Sequence, residues 1–140
     1  MIVLDTNVVS ALMRAPPDQT VVAWLDSYPL EMLCVTSVNV FEIRSGLEML
    51  AEWRKRRQLE DAFVRLQDEK LGGRVLPFDR RAAEAAAAFL ARRRAAGRPV
   101  EFRDAQIAGI VAAQGGTLAT RNGKDFQDFA IALVNPWTDG

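Results

Sequence analysis

Short apolar runs alternate along this chain with longer stretches in which apolar residues recur every three or four positions, the succession of strand and helix expected of an α/β protein. Ile2-Val3-Leu4 is a continuous apolar triplet with two β-branched residues, which suits a central strand covered on both faces of a parallel sheet. Residues 7–13 read as a short helix, broken by Pro16-Pro17. Asp18 is placed to cap a second helix reaching residue 27, with Val21, Val22, Trp24 and Leu25 on its apolar face. Leu33-Cys34-Val35 follows as the second strand. Thr36 or Ser37 then caps a helix in which Val40, Ile43, Leu47 and Leu50 form the stripe. A charged amphipathic helix is predicted over residues 52–71, with Trp53, Leu59, Ala62, Phe63 and Leu66 on one side and Gly72-Gly73 at its end.

The second half repeats the alternation. Val75-Leu76 is a brief third strand, and Asp79 caps an Ala-rich helix over residues 80–96 with Gly97 just beyond it. Residues 98–102 read as a loop that delivers Asp104 to the start of another helix, where Asp104, Ile107, Ala108, Val111 and Ala112 share a face. Gly115-Gly116 ends that helix, residues 117–120 form a fourth strand, and residues 131–134 a fifth before Asn135-Pro136-Trp137. There is no repeat, linker or low-complexity stretch. The pattern predicts one doubly wound α/β domain over residues 1–140, a mostly parallel five-stranded sheet flanked by helices.

Composition narrows the chemistry. The chain has no histidine, which removes the commonest general base, histidine-activated nucleophiles and most catalytic zinc sites. Catalysis here would run on carboxylates or a metal. Eighteen basic and eighteen acidic residues cancel, so bulk charge favours no partner. Distribution says more: Arg54-Lys55-Arg56-Arg57, Arg80-Arg81 and Arg92-Arg93-Arg94, with Arg98 and Arg103, are expected to give basic surfaces around an acidic centre. The single cysteine, Cys34, lies in an apolar run and reads as a core residue. No apolar run approaches the roughly 18 residues of a membrane span, and the expected location is cytoplasmic.

Four acidic positions stand out by where they fall. Asp5 ends the first strand, Glu42 lies about two helical turns after the second, Asp104 opens a helix's buried face, and Asp125 with Asn122 follows the fourth strand. Singly, each has a structural explanation: Asp5, Asn7 and Asp125 can cap, and an acid near a helix start is stabilised by the dipole. With parallel strands, however, all of them project from one edge of the sheet, where open α/β folds bind ligands. Carboxylates crowded there repel one another, and burying an unpaired charge is costly. A hard divalent cation resolves the crowding, and oxygen donors select Mg²⁺ or Mn²⁺.

These residues also carry a resemblance. Val3-Leu4-Asp5-Thr6-Asn7, Phe41-Glu42-Ile43 with Gly46, the segment from Phe102 to Ala108, Leu118-Ala119-Thr120-Arg121-Asn122 with Asp125-Phe126, and the terminal Asn135-Pro136-Trp137 resemble PIN-domain ribonucleases. The likeness is to the VapC toxins of type II toxin-antitoxin systems, in their FitB branch. It implies a Mg²⁺-dependent endoribonuclease, with Mn²⁺ able to substitute. Asp5 and Asp104 would bind the metal, Glu42 would complete the site, and Thr6 or Asn7 would orient the first carboxylate. Many relatives place an aspartate two residues after the threonine matching Thr120, where this chain has Asn122. Asp125 is the expected replacement, with Asn122 a neutral ligand or supporting donor. Arg103 and Arg121 are expected to hold the RNA backbone. The resemblance further implies a homodimer and a small VapB-type antitoxin lying over the cleft, with DNA contacted only through that antitoxin. Two other readings are a receiver-like domain that accepts phosphate, with Lys124 as its lysine, and an inactive PIN-like scaffold, given Asn122.

Overall fold

The computed structural model describes residues 1–139. The sheet is built from β1 (Ile2–Leu4), β2 (Leu33–Thr36), β3 (Val75–Leu76), β4 (Thr117–Ala119) and β5 (Ala132–Val134), in the order β3-β2-β1-β4-β5. Every pairing is parallel, so the sheet is fully rather than mostly parallel. The connecting helices are α1 (Thr6–Met13), α2 (Gln19–Asp26), α3 (Ser37–Glu48), α4 (Trp53–Arg65), α5 (Arg80–Ala95) and α6 (Phe102–Gln114). Among the described residues no helix is long and apolar enough to cross a membrane.

Alternation along β1 divides the core. Ile2 and Leu4 face one side, with Val9, Trp24, Ile43, Leu47 and Phe63, while Val3 faces the other with Phe89, Ile107, Val111 and Phe126. Because both faces are covered, β1 is buried throughout, which explains its uninterrupted apolar sequence. The chain winds outward from β1 to β3, then crosses back to place β4 on the free side of β1. The strand order therefore reverses between β1 and β4. That reversal opens a crevice at their carboxyl ends.

The capping residues expected from sequence act as caps. Asp18 accepts from the Thr20 and Val21 amides, Thr36 from Asn39, and Asp79 from Ala82. Three expectations need correction. Phe102 belongs to α6, not to the preceding loop, so Asp104 sits in the helix's first turn. The helix expected over residues 52–71 is regular only to Arg65 and finishes in a π-helical turn over Leu66–Lys70. Trp53, assigned to its apolar side, is 66% exposed, because it stands at the helix start beyond the core and rests against Arg57.

The basic cluster at residues 92–94 is also not a uniform surface. Arg93 is buried, donating from Nε to the Arg98 carbonyl (2.9 Å) and from Nη1 to the Asp125 carbonyl (3.1 Å). It continues the face of α5 that buries Ala82, Ala86 and Phe89, and there it meets the segment carrying Asp125 and Phe129.

The α5–α6 contact rests on Gly109. A methyl group there would meet the Ala82 carbonyl oxygen and come within 2.8 Å of the Ala86 backbone nitrogen. Alanine favours helix by about 1 kcal/mol over glycine, but overpacking against backbone costs about 1–3 kcal/mol and cannot be relieved by a rotamer change. Gly109→Ala is therefore expected to destabilise the fold, read as a lower urea midpoint at unchanged m-value. An unchanged or raised midpoint would mean that the two helices can part.

Candidate active site

Asp5 is the N-cap of α1, and it is nearly buried, 6% exposed. Its Oδ1 accepts the Thr6 amide at 2.9 Å, while Oδ2 accepts the Thr120 hydroxyl at 2.7 Å and the Asn7 side-chain amide at 3.4 Å. Thr120 follows β4 as Asp5 follows β1, so the bond between them closes the crevice at its base. The Thr120 oxygen also accepts from Asn7 Nδ2 (3.2 Å) and from the Asn122 amide (3.1 Å). Asn7 returns a further bond, its Oδ1 accepting the Arg121 amide at 3.1 Å. Capping and site-building are one arrangement here. Burial raises the pKa of Asp5, and Thr120, Thr6 and Asn39 pull it back.

Glu42 enters from α3. Its Oε1 accepts the Thr6 hydroxyl at 3.2 Å, and Oε2 lies 3.4 Å from Arg103 Nη1. Thr6 in turn accepts from Asn39 Nδ2 at 3.0 Å, and Asn39 is itself locked in the capping box with Thr36. A buried relay thus runs from the start of α3 to Glu42. Asn39 was not foreseen, although the Thr36-x-x-Asn39 spacing at a strand-to-helix junction is a legible signal. Burial raises the pKa of Glu42, against the opposing pull of Arg103 and Thr6.

Asp104 differs from both. Among the described residues no donor hydrogen-bonds to its carboxylate. Its pKa is pushed up to about 6, first by burial and then by the charges of Asp5, Glu101, Asp125 and Glu42. These four acids form the group whose charge acts on Asp104. They include Glu101, the N-cap residue of α6, which no sequence signal singled out. Asp125 lies on the exposed Gly123–Phe126 turn, where its charge acts on both Asp5 and Asp104. Asn122 enters the network through its backbone amide. Arg103 pairs with Glu42 and Glu101, while Arg121 lays its guanidinium over the Trp137 ring, 3.9 Å from the centroid.

This donor set fits a hard divalent cation: one buried and two half-buried carboxylates, amide and hydroxyl oxygens, and no soft ligand. Among the described residues no group of three or more carboxylate or thiol side chains is gathered tightly enough to ligate one ion. A bound cation would therefore draw on one or two carboxylates and complete its shell with water, the usual arrangement for Mg²⁺.

The raised carboxylates carry a pH signature. The folded protein binds protons more tightly than the unfolded chain between the ordinary aspartate value of 3.8 and about 6 at Asp104. In that window stability falls as pH rises, and the loss is complete above the folded pKa. The metal-free protein is expected to melt at progressively lower temperature between about pH 4 and pH 6.5 for this reason. Mg²⁺ should restore stability more at pH 7.5 than at pH 5, since protons and metal compete for the same oxygens. A melting shift independent of pH would place the bound metal away from these acids.

Comparison with known proteins follows the same line. The family description "PIN domain" matches residues 2–132. The chain is 37% identical over 140 residues to a VapC ribonuclease, Y4jK, of Sinorhizobium fredii, covering 98% of each. It is 34% identical over 139 residues to the toxin FitB of Neisseria gonorrhoeae, covering 99% of this chain and 100% of that one. A solved structure of FitAB bound to a DNA fragment superposes with a TM-score of 0.86 at 34% identity, covering 98% of this chain and 96% of that one.

Proposed function

The chain belongs to the PIN-domain family, and from that premise we propose that it is a Mg²⁺-dependent endoribonuclease, the toxin of a VapBC-type pair. The observation that carries the reading is the crevice between β1 and β4, where Asp104 is left without a donor among charged Asp5, Glu42, Glu101 and Asp125. Membership of this family displaces the receiver-like alternative.

Asp5 and Asp104 are the residues that would hold the metal. Mg²⁺ or Mn²⁺, when bound, supplies a water of lowered pKa and neutralises charge developing on the phosphate. Thr120, Thr6 and Asn7 hold the Asp5 carboxylate in one orientation, so that its oxygens need no rearrangement before the reaction. Glu42, held at one oxygen by Thr6 and at the other by Arg103, orients the attacking water. Asp125 adds negative charge at the open side of the crevice, the part a fourth acid takes in relatives with aspartate at the Asn122 position. The test is cleavage of single-stranded RNA in Mg²⁺ or Mn²⁺ against the same reaction in excess chelator. No metal-dependent cleavage of any RNA would overturn the proposal.

The partner follows from the toxin relatives. A groove of about 370 Å³ between α1, α3 and α4 is lined by Met13, Ile43, Leu47, Leu50 and Leu59, and ends at Thr6 and Glu42. A VapB-type antitoxin tail laid there would reach the acids, and a basic side chain from it would compete with the metal. The same family reading implies a homodimer, so the isolated protein should sediment as a dimer, and a monomer at micromolar concentration would count against it.

A further inference from the structure

Arg121 is an unusual cation for its surroundings. It is exposed and stands one residue beyond Thr120, the partner of Asp5, yet among the described residues it forms no ion pair. Arg103, by contrast, is spent on Glu42 and Glu101. What holds Arg121 is an aromatic ring. Its guanidinium carbon lies 3.9 Å from the centre of Trp137, and its backbone amide is tied to Asn7. Trp137 is itself fixed: its indole nitrogen donates to Asp18 at 3.0 Å, its backbone amide donates to Asn135 Oδ1 at 2.9 Å, and its ring packs against the core. One face of the guanidinium is covered by this anchored ring. The exposed residue offers its other side to solvent.

Beside it lies a cleft of about 550 Å³ between residues 120–127 and the segment that follows β5. Thr120 and Asp125 line its inner end, so it is continuous with the acid crevice. Arg121, Lys124 and Asn122 line one wall, and Leu133 and Val134 supply apolar surface. Asp139, also in the wall, accepts the Asn135 amide at 2.7 Å and the Thr138 hydroxyl at 3.0 Å, which turn its oxygens toward its own backbone segment while its negative charge remains. A planar cation held by an aromatic ring, a lysine with no ion pair among the described residues and an apolar floor beside the proposed phosphodiester-cutting centre match what a nucleotide presents: a flat base and an anionic phosphate.

We propose that this cleft is the subsite for a nucleotide of single-stranded RNA next to the scissile phosphate. Its base stacks on the open face of Arg121, its phosphate is drawn by Lys124, and Trp137 is the positioning residue that keeps the guanidinium plane in place. The proposal rests on the ribonuclease reading above. It makes the stacking tolerant of base identity, since every base has a π-face.

The test uses the full chain, Mg²⁺ and a single-stranded RNA cut at one site, with abasic nucleotides placed in turn on either side of the cut. Arg121→Lys keeps the charge and loses the plane. It is expected to raise KM about 10-fold with kcat within about two-fold, the magnitude of one lost base stack. Trp137→Leu should raise KM similarly, and Trp137→Phe, which retains a ring, by less. In wild type one abasic position should reproduce the Arg121→Lys effect, and combining that substrate with that variant should add nothing. Unchanged KM in Arg121→Lys, which alters an exposed side chain, or abasic penalties that add fully to it at every position, would overturn the subsite while leaving the ribonuclease reading intact. Wild type that neither binds nor cuts RNA would overturn both.

Discussion

Asp104→Asn is expected to lower metal-dependent RNA cleavage by about 10³-fold or more while making the metal-free protein more stable at pH 7.5. The two effects have one cause. The Asp104 carboxylate is half-buried, has no donor among the described residues, and is pushed up to about 6 by burial and by four neighbouring acids. Its ionised form is thus a cost to the folded state, one that the divalent cation of the proposed function would offset. Asparagine keeps the shape and removes the charge. The stability gain should be absent at about pH 3.5, where the carboxyl is protonated in folded and unfolded chains alike, should grow as pH rises from the ordinary value of 3.8, and should be complete above about 6. Melting curves at both pH values with chelator, beside single-turnover cleavage with Mg²⁺, check both halves. Persistent cleavage would place the chemistry elsewhere, and a loss of stability at every pH would make Asp104 a structural partner.

Arg93→Met should cost about 2–4 kcal/mol of folding stability and lower cleavage as well. Arg93 is 8% exposed and is the internal tie of this half of the molecule. It binds the carbonyls of Arg98 and Asp125, lies 3.9 Å from the Asp128 carboxylate, and stacks over Phe129 at 5.2 Å. Methionine fills similar volume but leaves both carbonyls without their guanidinium donor, while the Arg98–Asp128 pair remains. The turn carrying Asp125 then loses its anchor from α5, so activity should fall by about 10-fold even in folded protein, the usual cost of losing a supporting bond. Urea unfolding together with cleavage at a temperature where the variant is folded separates the two effects. A loss below about 1 kcal/mol would show that water replaces the guanidinium.

Reading the chain by its periodicities located each of the elements named from sequence, because those signals are local: an apolar triplet, a capping Asp or Thr, a glycine past a helix end. The candidate acids were legible for a related reason. Asp5, Glu42, Asp104 and Asp125 each follow a strand or open a helix, and in a parallel sheet those places lie on one edge. The misreadings came where a local pattern depends on its neighbours. Trp53 fits an apolar stripe but begins its helix beyond the core. Arg93 sits in a run of arginines that looks like a surface until the segment carrying Asp125 and Phe129 folds against it.

By itself, then, the order of residues determined the strand-helix alternation and the edge where acids gather, and it raised the expectation of a cation in a chain without histidine. The tertiary structure decided which atoms meet. It set Thr120 against Asp5 across 115 positions of sequence, joined Asn39 to Thr6, brought Glu101 into the acid group and laid Arg121 on Trp137. Hydrogen bonds and Coulomb forces act over a few ångströms of space. The parallel pairing of β1 with β2 and β4, and of β4 with β5, makes residues so distant along the chain into neighbours.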